Sequence, residues 1–203
     1  HQYFTQMLDS PDTEFLGLRG LIVEAERTGD KDTALSLARR AEALRPNTPW
    51  IMGTLFELET QQGLWADAHK TVVKSARKKL VEPGDARRRK AVVLLQQARQ
   101  DEAAGDTDAA TEAALQACGF APDFAPAAAL AAHLMTPARP RKAARIVERA
   151  WRAQTHPDLA RVYVKIHQDD LPARRVKRMT RLAGMNVGHV ESRLAVAEQA
   201  LGA

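Results

Sequence analysis

FLGLRGLIVEAERTGDKDTALSLARRAEALRP, residues 15–46, decides how the rest of the chain is read. Its first half carries Leu18, Leu21, Ile22 and Ala25 at the three-and-four spacing that gathers apolar side chains on one helix face. Gly29-Asp30 ends that helix, because glycine takes the left-handed backbone favoured just past a helix C-terminus without steric cost. In the second half Ala34, Ala38 and Ala41 form a small-residue seam that lets a neighbouring helix approach closely, and Pro46 stops the helix. The stretch predicts two short amphipathic helices joined by a tight turn.

The same marks recur. Gly29 returns as Gly63, Ala34 as Ala68 and Ala41 as the equally small Ser75, each 34 positions later. After an insertion, Gly105, Ala110, Ala114, Ala117 and Pro122 repeat the spacings of Gly29, Ala34, Ala38, Ala41 and Pro46. A helix pair with this period and these small positions is the signature of a tetratricopeptide repeat. The expected fold is therefore all-α, a tetratricopeptide-like right-handed helical-hairpin solenoid. An ordinary bundle with alanine-rich interfaces leaves the period unexplained.

The chain is expected to form a single repeat domain over residues 1–203. A leader helix, 1–13, has Tyr3, Phe4, Met7 and Leu8 in helical register before the breaker Asp9-Ser10-Pro11-Asp12, and would shield the first repeat. Repeats are placed near 15–46, 49–80, 91–122, 124–155 and 157–186, with an end helix in 189–203. Met52, Leu55 and Phe56 point inward in the second repeat, where Ala68, Val72 and Ser75 form the seam. VEPGDARRRK, residues 81–90, carries turn chemistry and breaks the period, since Gly63 and Gly105 are 42 positions apart. The extra residues make either a longer connection or longer flanking helices. In the fourth repeat two prolines, Pro137 and Pro140, replace the usual glycine, and Ala143, Val147 and Ala150 keep the seam beside Trp151.

Composition limits the chemistry. Aromatics make up 5% of the chain, and the single cysteine, Cys118, excludes a disulfide framework and any site needing several thiolates. Cys118 is expected as a buried thiol. No apolar run is long enough to span a bilayer and no signal peptide opens the chain, so the polypeptide as given is expected to be soluble. Its start at His1, in text that reads as the end of a preceding helix, points to a fragment of a longer protein.

The net charge of +5 is uneven: residues 1–66 hold six Lys/Arg against ten Asp/Glu, which leaves +9 on residues 67–203. Basic side chains concentrate at Lys74–Lys79, Arg87–Lys90, Arg139–Arg152 and Arg174–Arg181. Such a field attracts nucleic acid, anionic lipid or acidic protein. No recognition helix, RNA-binding aromatic motif or zinc-finger spacing accompanies it, so no nucleic-acid partner is expected.

No catalytic site and no metal site are expected. The six histidines show no His-x-x-x-His or Glu-x-x-His pairing. No serine, cysteine or carboxylate stands in a nucleophile motif, and there is no phosphate loop. Asp169-Asp170 are adjacent and cannot face each other on a helix; they read as acids favouring the N-terminus of the helix that follows.

Binding candidates come from the first helix of each pair, which lines the concave groove of such repeats. Projected register gives Arg19, Val23 and Glu26 in repeat one, Trp50, Glu57 and Thr60 in repeat two, Leu95, Arg99 and Glu102 in repeat three, and His133 in repeat four. Arg19, Arg99 and Trp50 are the expected anchors, since Arg and Trp are enriched at hot spots. Trp50 also follows a proline at a helix start, where it could instead cap the contact between repeats. His133 reads either as a groove histidine or as a single haem ligand; no bound cofactor is otherwise expected.

Seven strings resemble the HemY family of bacterial haem metabolism: EFLGLRGL (14–21), LRPNTPW (44–50), TLFEL (54–58), APDFAPAAALAAHL (121–134), RKAARIVERAW (141–151), HPDLARVY (156–163) and ESRLAVAEQAL (191–201). The resemblance implies a scaffold of the bacterial inner membrane, tied to late haem and porphyrin biosynthesis, with haem-biosynthetic enzymes as protein partners and its repeat domain in the cytoplasm. The family's N-terminal membrane anchor has no counterpart in this chain. Two other functions fit the residues: a haem or porphyrin carrier using the concave groove, and a basic adaptor for an anionic membrane surface.

Overall fold

The computed structural model describes residues 2–202; His1 and Ala203, assigned above to the leader and the end helix, lie outside the described residues. Every regular element among the described residues is helical. The chain divides into two compact units, residues 1–93 and 94–203.

The first unit begins with α1 (Gln2–Gln6) and a 3-10 turn (Met7–Asp9), followed by α2 (Pro11–Thr28), α3 (Lys31–Leu44), α4 (Pro49–Gln61) and α5 (Trp65–Arg77). The α2/α3 and α4/α5 hairpins are the first two repeats. Between α2 and α3, Gly29 sits at φ 77° while the Asp30 amide donates back to the Ala25 carbonyl at 2.9 Å, which satisfies a terminal acceptor of α2. Gly63 at φ 70°, with Leu64 N–H donating to the Glu59 carbonyl, builds the same turn one repeat later. The seam is as expected: Ala34, Ala38 and Ala41 are fully buried, and Ala68, Val72 and Ser75 nearly so. Ala34, Ala38 and Ala41 share one core with Leu18, Ile22, Ile51 and Leu58.

The leader is shorter than the sequence predicts. Pro11 does not break it from a distance but opens α2, where its fixed φ suits a first helical turn and its missing N–H costs nothing. The leader lies close against α2 because Gly20 leaves room for the Phe4 ring; a Cβ there would come within 2.3 Å of it.

The insertion lengthens a helix. Pro83 and Asp85 start α6 (Pro83–Ala103) instead of turning the chain, and its 21 residues absorb the extra length. The division between the two units falls within α6.

The second unit continues with α7 (Thr107–Phe120), α8 (Ala125–Met135), α9 (Pro140–Ala153), α10 (Pro157–Ile166), α11 (Pro172–Ala183) and α12 (Val190–Leu201). The glycine turn recurs before α7, with Gly105 at φ 85° and Asp106 N–H donating to the Asp101 carbonyl. Ala110, Ala114 and Ala117 are fully buried, as are Ala143 and Val147. One core joins Ala132, Val147, Trp151, Leu159, Met179 and Leu182. His156 starts α10 by accepting the Asp158 amide on Nδ1, and His189 does the same for Glu191 ahead of α12. The pattern of helix pairs, seams and glycine turns is that of a tetratricopeptide-like fold.

Candidate functional site

Two sets of side chains stand on first helices of the pairs, one in each unit. In the first unit α2 carries Arg19, Val23 and Glu26, all exposed or partly so, at the spacing of one helix stripe. On α4, Trp50 is half-buried. The Arg19 guanidinium lies over the Trp50 ring, 5.2 Å from its centroid, while Phe15 meets the same ring edge-on at 6.2 Å. Arg45 in turn covers Phe15 at 4.3 Å. Trp50 thus caps the contact between α2 and α4, and the Arg19 guanidinium covers its ring. Each such cation–π contact is worth about 0.5–1 kcal/mol at an exposed site. Further along α4, Glu57 is exposed and Thr60 spends its hydroxyl on the Glu57 carbonyl at 2.9 Å.

Phe56, expected to point inward, is only partly buried, and Arg89 of α6 lies over its ring at 5.1 Å. The pair repeats the Arg19–Trp50 arrangement one helix on. Arg89 sits in the insertion, where the repeat register gives no projection.

In the second unit Glu102 of α6, His133 of α8 and Lys165 of α10 line up across three successive first helices. His133 Nε2 lies 3.9 Å from Glu102 Oε1, and its Nδ1 lies 3.5 Å from Lys165 Nζ. Both nitrogens of His133 therefore face charged side chains. Arg99 is exposed on α6. Leu95 must be removed from the candidates: it is 2% exposed and belongs to the core, so it has no surface to offer a partner. Projected register sets the angle around a helix to within about one residue, and at Leu95 that error spans the boundary between core and surface. Repeat register does not project Lys165, because the fifth pair is irregular in sequence.

Cys118 is partly buried, less deeply than expected, and desolvation pushes its thiol up to about 11. It stays protonated at neutral pH and is a poor nucleophile or metal ligand. Among the described residues no group of three His, Cys, Asp or Glu is placed to hold a metal ion, and no helix is long and apolar enough to cross a membrane.

No family model matches the chain, and no curated protein matches it. Several solved structures are similar in outline. A thermophilic TPR protein of Thermus thermophilus, TTC0263, shares 16% identity over 92% of this chain and 99% of that one, with a TM-score of 0.39. MamA shares 16% identity over 97% and 91%, with a TM-score of 0.47. YrrB, a TPR protein with an unusual peptide-binding site, shares 11% identity over 95% and 96%, with a TM-score of 0.49. At these values the likeness says nothing about function; the fold assignment rests on the helix pairs themselves.

Proposed function

We propose that the chain is a non-enzymatic protein-binding scaffold that holds partner proteins on its first-helix surfaces. The observation that carries this reading is the Arg19–Trp50 pair, held ready by Phe15 and Arg45 before any partner arrives. A side chain already fixed in its binding geometry loses little entropy on association, and Trp and Arg are the residues that most often dominate protein interfaces. In the first unit Val23, Glu26, Glu57 and Thr60 surround that anchor; in the second, Arg99, Glu102 and His133 form a separate polar surface.

The partners proposed are haem-biosynthetic enzymes, and the place the bacterial inner membrane, with the repeat domain on the cytoplasmic side. Support for pathway and place is the HemY-like series of strings from residue 14 to residue 201. Affinity capture from detergent-solubilised membranes of the source bacterium tests the proposal. The native chain recovers enzymes of late haem synthesis, and an Arg19→Glu, Arg99→Glu variant that keeps its helical circular-dichroism spectrum loses at least about 80% of them, as expected when central anchors are reversed in charge. Equal recovery by both chains, or recovery of none of these enzymes, contradicts it.

A further inference from the structure

A different surface of the second unit carries a binding site of its own. The second helices α9 and α11 each present a stripe at the same spacing toward one cleft. Arg141, Ala144, Arg145 and Glu148 form the first, and Arg174, Lys177, Arg178 and Arg181 the second. Tyr163, Ile166 and His167 of the α10 segment complete the lining, and the cleft encloses about 730 Å³. Tyr163 is 3% exposed and donates its hydroxyl to Glu148 at 3.1 Å, so the one acid of the lining is already engaged. His167 Nε2 is buried without a hydrogen-bond partner.

Six cations therefore face a space with a single, occupied carboxylate. Asp170, just beyond the cleft, shows what these cations take. It pairs with Arg178 Nε and lies 3.6 Å from Arg174 Nε, and the Arg178 hydrogen bond holds its carboxyl below the usual carboxylate range. Among the described residues, Arg141, Arg145, Lys177 and Arg181 form no ion pair.

We infer that this cleft binds an extended acidic segment of a partner protein, with Asp or Glu at every second position gripped by successive turns of α9 and α11. The spacing selects that ligand. Cations one turn apart on a helix are separated by about 5–6 Å along the axis, and the α11 stripe runs over two turns, or roughly 10 Å. Side chains two residues apart on an extended peptide are about 6.6–6.8 Å apart, which matches the one-turn step. A single phosphate would be met by cations converging on one point. A bilayer would need apolar side chains standing proud of the charges. Of the apolar residues of this cleft only Pro140 is exposed; Ala144 and Ile166 are partly exposed and line it with the buried Tyr163, so no large apolar side chain stands proud of the charges. The planar guanidinium fork, which can take a carboxylate through two parallel hydrogen bonds, suits the task better than lysine, and five of the six cations are arginines.

Fluorescence anisotropy with a labelled peptide of alternating Glu and Ala tests the inference on the full chain. Micromolar binding is expected, weakened at least about tenfold in an Arg145→Gln, Arg181→Gln variant and by raised salt. An Arg77→Gln, Lys78→Gln variant makes the same change in net charge at exposed positions outside the cleft and should stay within about twofold of the native chain. Separate titrations use inorganic pyrophosphate and vesicles containing phosphatidylserine. Absence of peptide binding, equal weakening in both variants, or cleft-dependent binding of pyrophosphate or vesicles in place of peptide would overturn it.

Discussion

Glu59 is a carboxylate that the fold holds out of water. It is 4% exposed near the end of α4, hydrogen-bonded to Thr71, with Oε2 lacking a partner. Desolvation raises its pKa above the usual carboxylate range. The folded chain then binds this proton more tightly than the unfolded chain does. The stability that goes with it is complete below the unfolded pKa and is lost as the pH rises through the folded one. Urea unfolding across a pH series should show the first unit weakening over that interval. Glu59→Gln should flatten the trend and add on the order of 1 kcal/mol at neutral pH, since an amide avoids the buried charge. A Gln variant with the native pH slope would assign the effect to other groups. Nothing in the sequence marks Glu59 as buried: acids are common on exposed helix faces, and the residue follows the core position Leu58. Leu95 and Phe56 were misplaced for the converse reason, because apolar identity alone does not say on which side of a helix boundary the side chain falls.

At the scale of elements, the turns were the most legible part of the chain. Three glycines at positive φ close three hairpins, each sitting where the backbone must go left-handed. The capping carboxylates were less visible: Asp30 accepts the Thr33 amide and Asp106 the Ala109 amide, while the matching Leu64 offers no acceptor. Lys79 was not legible at all. It holds φ 56° just after α5, and the next amide, Leu80, donates to the Ser75 carbonyl at 2.9 Å, the same closure that glycine makes elsewhere. A side chain in that conformation costs roughly 1 kcal/mol or more. Lys79→Gly is therefore expected to stabilise the first unit by about 0.5–1 kcal/mol, after the added freedom of the unfolded glycine is offset. Unchanged or lower stability in denaturant would show that the lysine side chain makes a compensating contact. The insertion was ambiguous because Pro-Gly-Asp serves a turn and a helix start equally well; only the backbone at Pro83 separates them.

At the scale of the molecule, the 34-residue period made the fold class readable, because every repeat must bury the same seam against its neighbour. The division into two units was not readable. It falls between Val93 and Leu94, inside AVVLLQQA (91–98), with no glycine, proline or polar linker to mark it. Nor could the basic cleft be assembled from sequence. Arg139–Arg152 and Arg174–Arg181 are visible as charge runs, but their shared cleft depends on α9 and α11 both packing against α10. The Arg19–Trp50 pair, by contrast, is half visible in the sequence: register projects each residue onto a first helix, and their stacking comes from the fold. The proposed function places haem-pathway enzymes on this first-helix surface. Site-specific photo-crosslinking in membranes of the source bacterium addresses it directly, with the photoreactive residue at exposed Val23 of α2 or at exposed Ser36 of α3. Adducts with enzymes of late haem synthesis from position 23, and none from position 36, are the predicted result. Adducts from position 36 alone, or no such adducts from either, would contradict it.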